Sequence, residues 1–92
     1  MIPADTETIQ TSAFEGIAAV SVEIPEKCTF IGDYAFKNCA NLTGIRIPEN
    51  CLLGTDVFAE CPKVYVFDKS GSDAERYCSE HANCVFVAEA QE

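Results

Sequence analysis

Residues 24–48 read IPEKCTFIGDYAFKNCANLTGIRIP, and the stretch returns to its own beginning: Ile24-Pro25 opens it and Ile47-Pro48 closes it. Ile2-Pro3 stands one unit earlier, so isoleucine-proline recurs at spacings of 22 and 23 residues. Inside the stretch, Ala35-Phe36 is echoed by Ala13-Phe14 and Val57-Phe58, and the aliphatic residue five positions before each phenylalanine is Ile9, Ile31 or Leu53. Cys28 matches Cys51, Gly32 matches Gly54 and Cys39 matches Cys61. A period near 22 over this many columns describes a stack of repeated units, each burying its apolar face against its neighbours. The first unit departs from the others at Gln10, where they have glycine, and at Ile17, where they have cysteine.

Composition narrows the rest. Ninety-two residues make one domain. A hydrophobic content of 48% excludes disorder from low hydrophobicity, and seven Ile and seven Val against three Leu favour strands over helices. No apolar run approaches the roughly 20 residues of a membrane span, and the N-terminus lacks the basic-then-apolar pattern of a signal peptide. The net charge is −9, with Lys and Arg scattered singly, which repels phosphate backbones and anionic lipid. Neither nucleic acid nor a membrane interior is an expected partner.

Alternation of period 2 in Val20-Ser21-Val22-Glu23-Ile24 predicts a strand with Val20, Val22 and Ile24 inside. Its counterparts are Leu42 to Ile47, with one extra residue near Gly44 that suggests a bulge, and Val64 to Phe67, with Val64 and Val66 inside. The outward residues then align across the units as Ser21, Glu23, Arg46, Tyr65 and Phe67, with Glu23 and Arg46 as cross-strand neighbours. Tyr65 and Phe67 are apolar where this pattern expects polar residues. Either they cover the underside of a terminal helix, or they form an aromatic patch for a protein partner. Gly32 and Gly54 call for a positive φ or for close backbone approach.

After Phe67 the repeat stops. Ser72-Asp73-Ala74-Glu75 fits a capping box, which predicts a helix of about ten residues, to His81 or Ala82, ended by Asn83 in a left-handed conformation. Cys84 to Val87 reads as a last strand. Residues 1–67 are thus about three repeats, 68–88 a C-terminal cap and 89–92 a frayed tail, with 1–88 as the single domain. The chain begins inside a unit, as in a fragment of a longer array. This predicts an open end near Ile2, Ile9 and Phe14 through which it self-associates or frays.

The pattern IP-x-x-C-x-x-IG-x-x-AF-x-x-C-x-x-L-T-x-I resembles the BspA-type leucine-rich repeat, and Ile24 to Ile47 is a close copy of it. Gly71-Ser72 through Arg76-Tyr77-Cys78 to Phe86 is similar to the segment that closes many such arrays. The resemblance implies an α/β repeat solenoid: a right-handed leucine-rich-repeat superhelix with short parallel strands. It also implies a bacterial surface or secreted protein that is not an enzyme. Its partner would be a protein, such as a host matrix or cell-surface protein. The alternative is a structural spacer or capping segment of a longer array, with no binding site of its own.

The six cysteines admit three readings. They are small buried hydrophobes in repeat columns, or they form disulfides, with Cys78 and Cys84 the favoured pair, or Cys78, His81 and Cys84 hold a metal. The columns favour the first, since zinc finds no fourth ligand at suitable spacing. No catalytic or cofactor residues are expected. Asn41-Leu42-Thr43 matches a glycosylation acceptor but also reads as a repeat turn. If the phenylalanine column is the core, Phe36→Ala costs about 3–5 kcal/mol, read as a fall in unfolding free energy by urea denaturation.

Overall fold

The computed structural model describes residues 2–89 and consists of stacked coils, about four in all, the last built from a helix and a strand. Strands β1 (Thr8–Ile9), β3 (Phe30–Ile31) and β5 (Leu52–Leu53) form one sheet in that order. Strands β2 (Ser21–Glu23), β4 (Gly44–Arg46), β6 (Val64–Asp68) and β7 (Cys84–Ala88) form the other, with helix α1 (Asp73–Glu80) between β6 and β7. All pairings are parallel, and the register reproduces the sequence period: Ile9 faces Ile31, and Ile31 faces Leu53. In the larger sheet Val22, Ile45, Val66 and Phe86 face one another in turn.

The core is the set of columns read from the sequence. Ile31, Ala35, Phe36, Cys39, Leu42, Val57, Phe58, Val64 and Val66 are fully buried. The Phe14 and Phe36 rings stack with centroids 5.5 Å apart, and those of Phe36 and Phe58 at 5.9 Å, both pairs inclined by 21°. The rings follow from the backbone. Phe14 N–H donates to Ala35 C=O at 2.8 Å and Phe36 N–H to Val57 C=O at 2.9 Å, so each ring is carried one coil along. The turn around each phenylalanine uses two left-handed residues. Ser12, Tyr34 and Asp56 form one column and Gly16, Asn38 and Glu60 the other, with φ between 49° and 75°.

Gly32 and Gly54 are not among these left-handed residues; their role is close approach. A Cβ on Gly32 would sit 2.7 Å from the Ile9 carbonyl oxygen, and one on Gly54 would meet the Asp33 carboxylate. Both outcomes are intolerable for a side chain, and the packed coils leave no room to shift.

Val20 departs from the expected strand. It is 59% exposed, because β2 is only three residues long and starts after it. Its carbonyl accepts from two amides of the next coil, Thr43 N–H at 2.8 Å and Gly44 N–H at 3.4 Å. Here the extra residue of the second unit is taken up, at the place where the sequence suggested a bulge.

The cap is a fourth coil in altered form. Leu53 N–H finds the Asp73 carboxylate at 2.8 Å, and Phe58 N–H finds the Tyr77 hydroxyl at 3.0 Å. Tyr77 also meets the Phe58 ring edge-on, with centroids 5.6 Å apart and planes at 82°. The Cys39 thiol donates to Phe14 C=O and the Cys61 thiol to Phe36 C=O; 22 residues further on, Asn83 Nδ2 donates to Phe58 C=O at 3.0 Å. Asn83 therefore acts through its side chain and not as a left-handed terminator. Helix α1 is eight residues long and leaves the helical path at His81, with φ −132° and ψ 119°. Ser72 accepts from Glu75 N–H as expected, but Glu75 reaches back to Gly71 N–H at 2.7 Å.

Glu89, expected in a frayed tail, donates its N–H to Asp68 C=O at 2.8 Å and extends the ladder beyond β7. The rest of that tail, residues 90–92, lies outside the described residues, as does Met1. Tyr77→Phe keeps the ring and deletes the hydroxyl, leaving Phe58 N–H buried without an acceptor. It is expected to lower stability by about 1–3 kcal/mol in urea denaturation, and an unchanged midpoint would remove the hydroxyl from its capping role.

Candidate functional site

The outward face of the four-stranded sheet gathers the five residues singled out in the sequence. Register places Ser21, Gly44, Tyr65 and Val85 in one row and Glu23, Arg46, Phe67 and Val87 in the next. Alternation along β6 sends Val64, Val66 and Asp68 inward and leaves Tyr65 41% exposed, with Phe67 half-buried. Tyr65 and Phe67 do not lie under the cap helix. Helix α1 buries Ala74 and Tyr77 against the interior, whereas Tyr65 and Phe67 stand beside cap strand β7 on the opposite side of the sheet. The Phe67 ring lies over Gly44, 3.5 Å from where a Cβ would be, an ordinary contact distance.

The face is graded. Toward the cap it is an apolar block of Tyr65, Phe67, Val85 and Val87; toward the other end it is polar and acidic. Arg46 sits at the junction, with its guanidinium 3.2 Å from the Glu89 carboxylate and 3.8 Å from that of Glu23. The expected Glu23–Arg46 pairing is present, but Glu89 is the nearer partner. Both pairs are at the surface, where such contacts contribute a few tenths of a kcal/mol.

Sequence reading missed Val85 and Val87, although the alternation from Cys84 to Ala88 carried the signal. Which residues they would adjoin depended on the register of β7 against β6. A second outward pair was also missed. Phe30, 40% exposed, and Leu52, 57% exposed, face each other on the smaller sheet. Each immediately precedes a buried residue of the Ile/Leu column.

A family model described as the BspA type leucine rich repeat region (6 copies) matches residues 1–82. The chain belongs to the BspA-type leucine-rich repeat family. No curated protein and no solved structure matches it.

The cysteines of this BspA-type chain are all free thiols. Cys28 and Cys51 are stacked column mates with their sulfurs 4.0 Å apart, and burial pushes the Cys51 thiol above its ordinary range. His81 does not join Cys78 and Cys84 as a ligand. Its Nδ1 lies 2.8 Å from Tyr77 O and its Nε2 lies 3.2 Å from the Asp56 carboxylate, while the ring stacks on Tyr77 at 3.8 Å. Among the described residues no three His, Cys, Asp or Glu side chains are grouped to hold a metal ion.

Among the described residues, Asp68 is the one charged residue in the core, 1% exposed, in the column that Ile24 and Ile47 occupy in earlier coils. Its Oδ1 accepts from Lys69 N–H at 2.7 Å, and its Oδ2 has no partner. Burial pushes its carboxyl up to about 6. A folded-state value above the unfolded one means full stability while the carboxyl is protonated in both states, below about pH 4, and loss as pH rises through about 6. Asp68→Asn is therefore expected to unfold near the wild-type temperature at pH 4. At pH 7.5 it should be the more stable protein, by up to about 3 kcal/mol. Thermal melts at the two pH values check this, and a variant no more stable at pH 7.5 contradicts it.

Proposed function

We propose that this chain is a non-enzymatic protein-binding or adhesion module of a bacterial surface or secreted protein, and that Ser21, Glu23, Arg46, Tyr65 and Phe67, joined by Val85 and Val87, form its contact face. The observation that carries the reading is the apolar block at the capped end of the sheet, where Tyr65 stands 41% exposed beside the partly exposed Val85. A well-folded parallel sheet with an aromatic and aliphatic centre and a charged rim has the composition of a protein contact surface. The family to which the chain belongs is built of non-enzymatic scaffolds that often bind proteins. In the described residues no helix is long and apolar enough to cross a membrane.

The spacer reading draws on the other end of the stack. Ile2, Phe14, Ile17 and Val22 line an apolar groove of about 670 Å3 there. By the repeat register, the carbonyls of Thr11, Ala13 and Glu15 correspond to those of Asp33, Ala35 and Lys37, which accept from the preceding coil. A surface of this kind stacks on another coil, and in the isolated chain it supports self-association.

Two variants separate the readings. The contact-face reading expects Tyr65→Asp to weaken capture of the chain by its ligand in a panel of matrix and cell-surface proteins by about tenfold or more, with circular dichroism unchanged. The spacer reading expects that variant to be neutral. It expects Val22→Lys to convert a concentration-dependent oligomer into a monomer in sedimentation velocity.

A further inference from the structure

We propose that the outer edge of β7 is a docking site for one extended segment of a partner protein, apolar at its centre and flanked by Lys or Arg, which adds to the larger sheet as a further strand. β7 ends the strand order β2-β4-β6-β7, and among the described residues it pairs only with β6. Two bonds fix the direction of its backbone groups. Asn83 C=O accepts from Val64 N–H at 2.9 Å, and Glu89 N–H donates to Asp68 C=O at 2.8 Å. Successive residues of a strand point to alternate sides, so Val85 and Val87 also turn their backbone groups toward β6. Those of Cys84, Phe86 and Ala88 point away from it. Cys84 N–H is taken by His81 C=O at 3.2 Å. The N–H groups of Phe86 and Ala88, and the C=O groups of Cys84, Phe86 and Ala88, have no partner among the described residues. Extended backbone is what matches such a row of alternating donors and acceptors.

Among the described residues no other sheet edge is both long and bare. β1 and β2 are two and three residues long, and the edge of β5 is closed by the Asp73 carboxylate on Leu53 N–H. β7 has five residues, Cys-Val-Phe-Val-Ala, with none of the charges, prolines or glycines that guard an edge against pairing.

The cap decides what fits there. Helix α1 rests on the third coil, with Asp73 on Leu53 and Tyr77 on Phe58, and packs beside β7. A helix is about 10 Å across and strands stack about 4.8 Å apart, so α1 rises roughly one strand spacing beyond β7. This leaves a step one strand deep, with β7 as its floor and the helix as its inner wall. The broad end of a second copy, carrying its own helix, is held off, whereas a single strand enters. Both sides of the step are apolar. Val66 is fully buried, but its register partner Phe86 is only partly buried. Val85 and Val87 are partly exposed on the other face. An added strand covers Phe86 with its inward residue and prolongs the rows of Val85 and Val87 with the residues on either side. The net charge of −9 favours Lys and Arg at its flanks. The site is main chain at the rim of the sheet, so it does not rest on Tyr65 and Phe67 binding a partner through the face.

Fluorescence anisotropy tests it with a labelled peptide whose core, Val-Tyr-Val-Phe, is that of β6, set between pairs of lysines. The full chain is expected to bind this peptide saturably, and glutamates in place of the lysines are expected to weaken binding. Ala88→Pro removes an outward N–H and no internal bond. It is expected to weaken binding about tenfold or more with circular dichroism unchanged, while Ala88→Ser, which keeps the N–H, binds as the wild type does. Tyr65→Asp is expected to leave the peptide bound, which separates this edge from the contact face. Methylating the peptide's alternate backbone nitrogens is expected to abolish binding for one set and spare it for the other, a result that needs no variant to fold. Absence of saturable binding overturns the proposal. So does normal binding by Ala88→Pro, loss of binding in Tyr65→Asp, no weakening by the glutamates, or an equal effect of the two methylated sets.

Discussion

The structure depends on one repeated hydrogen bond, from the amide of each column phenylalanine to the carbonyl of the residue before the next phenylalanine. Parallel strands must stack at about 4.8 Å, and the turn that leads into this bond is what lets a chain of about 22 residues close on itself at that rise. The other columns follow from it. The rings stack because their backbones are already in register. The glycines are needed because the coils then approach too closely for a Cβ. The cysteines fit because a small side chain with a weak donor can reach the carbonyl of the preceding coil.

A ladder of this kind has to stop somewhere, and its last donors cannot be left bare. The cap replaces a coil of backbone acceptors with side-chain acceptors: a carboxylate for Leu53, a phenol for Phe58. Asn83 works in the other direction and gives donors to the carbonyls of Phe58 and Cys61. The helix is therefore less a lid than a holder for Asp73 and Tyr77. The ladder is also where the fold carries its main electrostatic cost, since Asp68 occupies an isoleucine position and keeps an unpartnered oxygen. Its neighbour in register, Ala88, leads directly to the Glu89 amide that binds the Asp68 carbonyl.

The repeat columns were legible in the sequence because each is a recurrence of side-chain type at fixed spacing, and the core they describe is the core that forms. What was hidden depended on backbone geometry or on distant pairing. Ser12, Tyr34 and Asp56 share a left-handed conformation but no chemical resemblance, so no composition signal marks that column. Val20 looked like a strand residue because alternation says nothing about where pairing begins. Tyr77 and Asn83 serve the stack through hydroxyl and amide groups, in a segment where the periodic pattern had lapsed. The outward face was half legible: Tyr65 and Phe67 broke the expected polarity, but only the β6–β7 register joined them to Val85 and Val87.

The double acceptance at the Val20 carbonyl bears on how such a chain can vary. One oxygen takes the amides of both Thr43 and Gly44, and the pairing of Val22 with Ile45 resumes immediately afterwards. The added residue is spent in an exposed bend and displaces neither the ring column nor the strand beyond it. Units of 22 and 23 residues are therefore interchangeable in the stack, and length changes confined to this bend alter the outer contour of a coil while leaving its interior untouched.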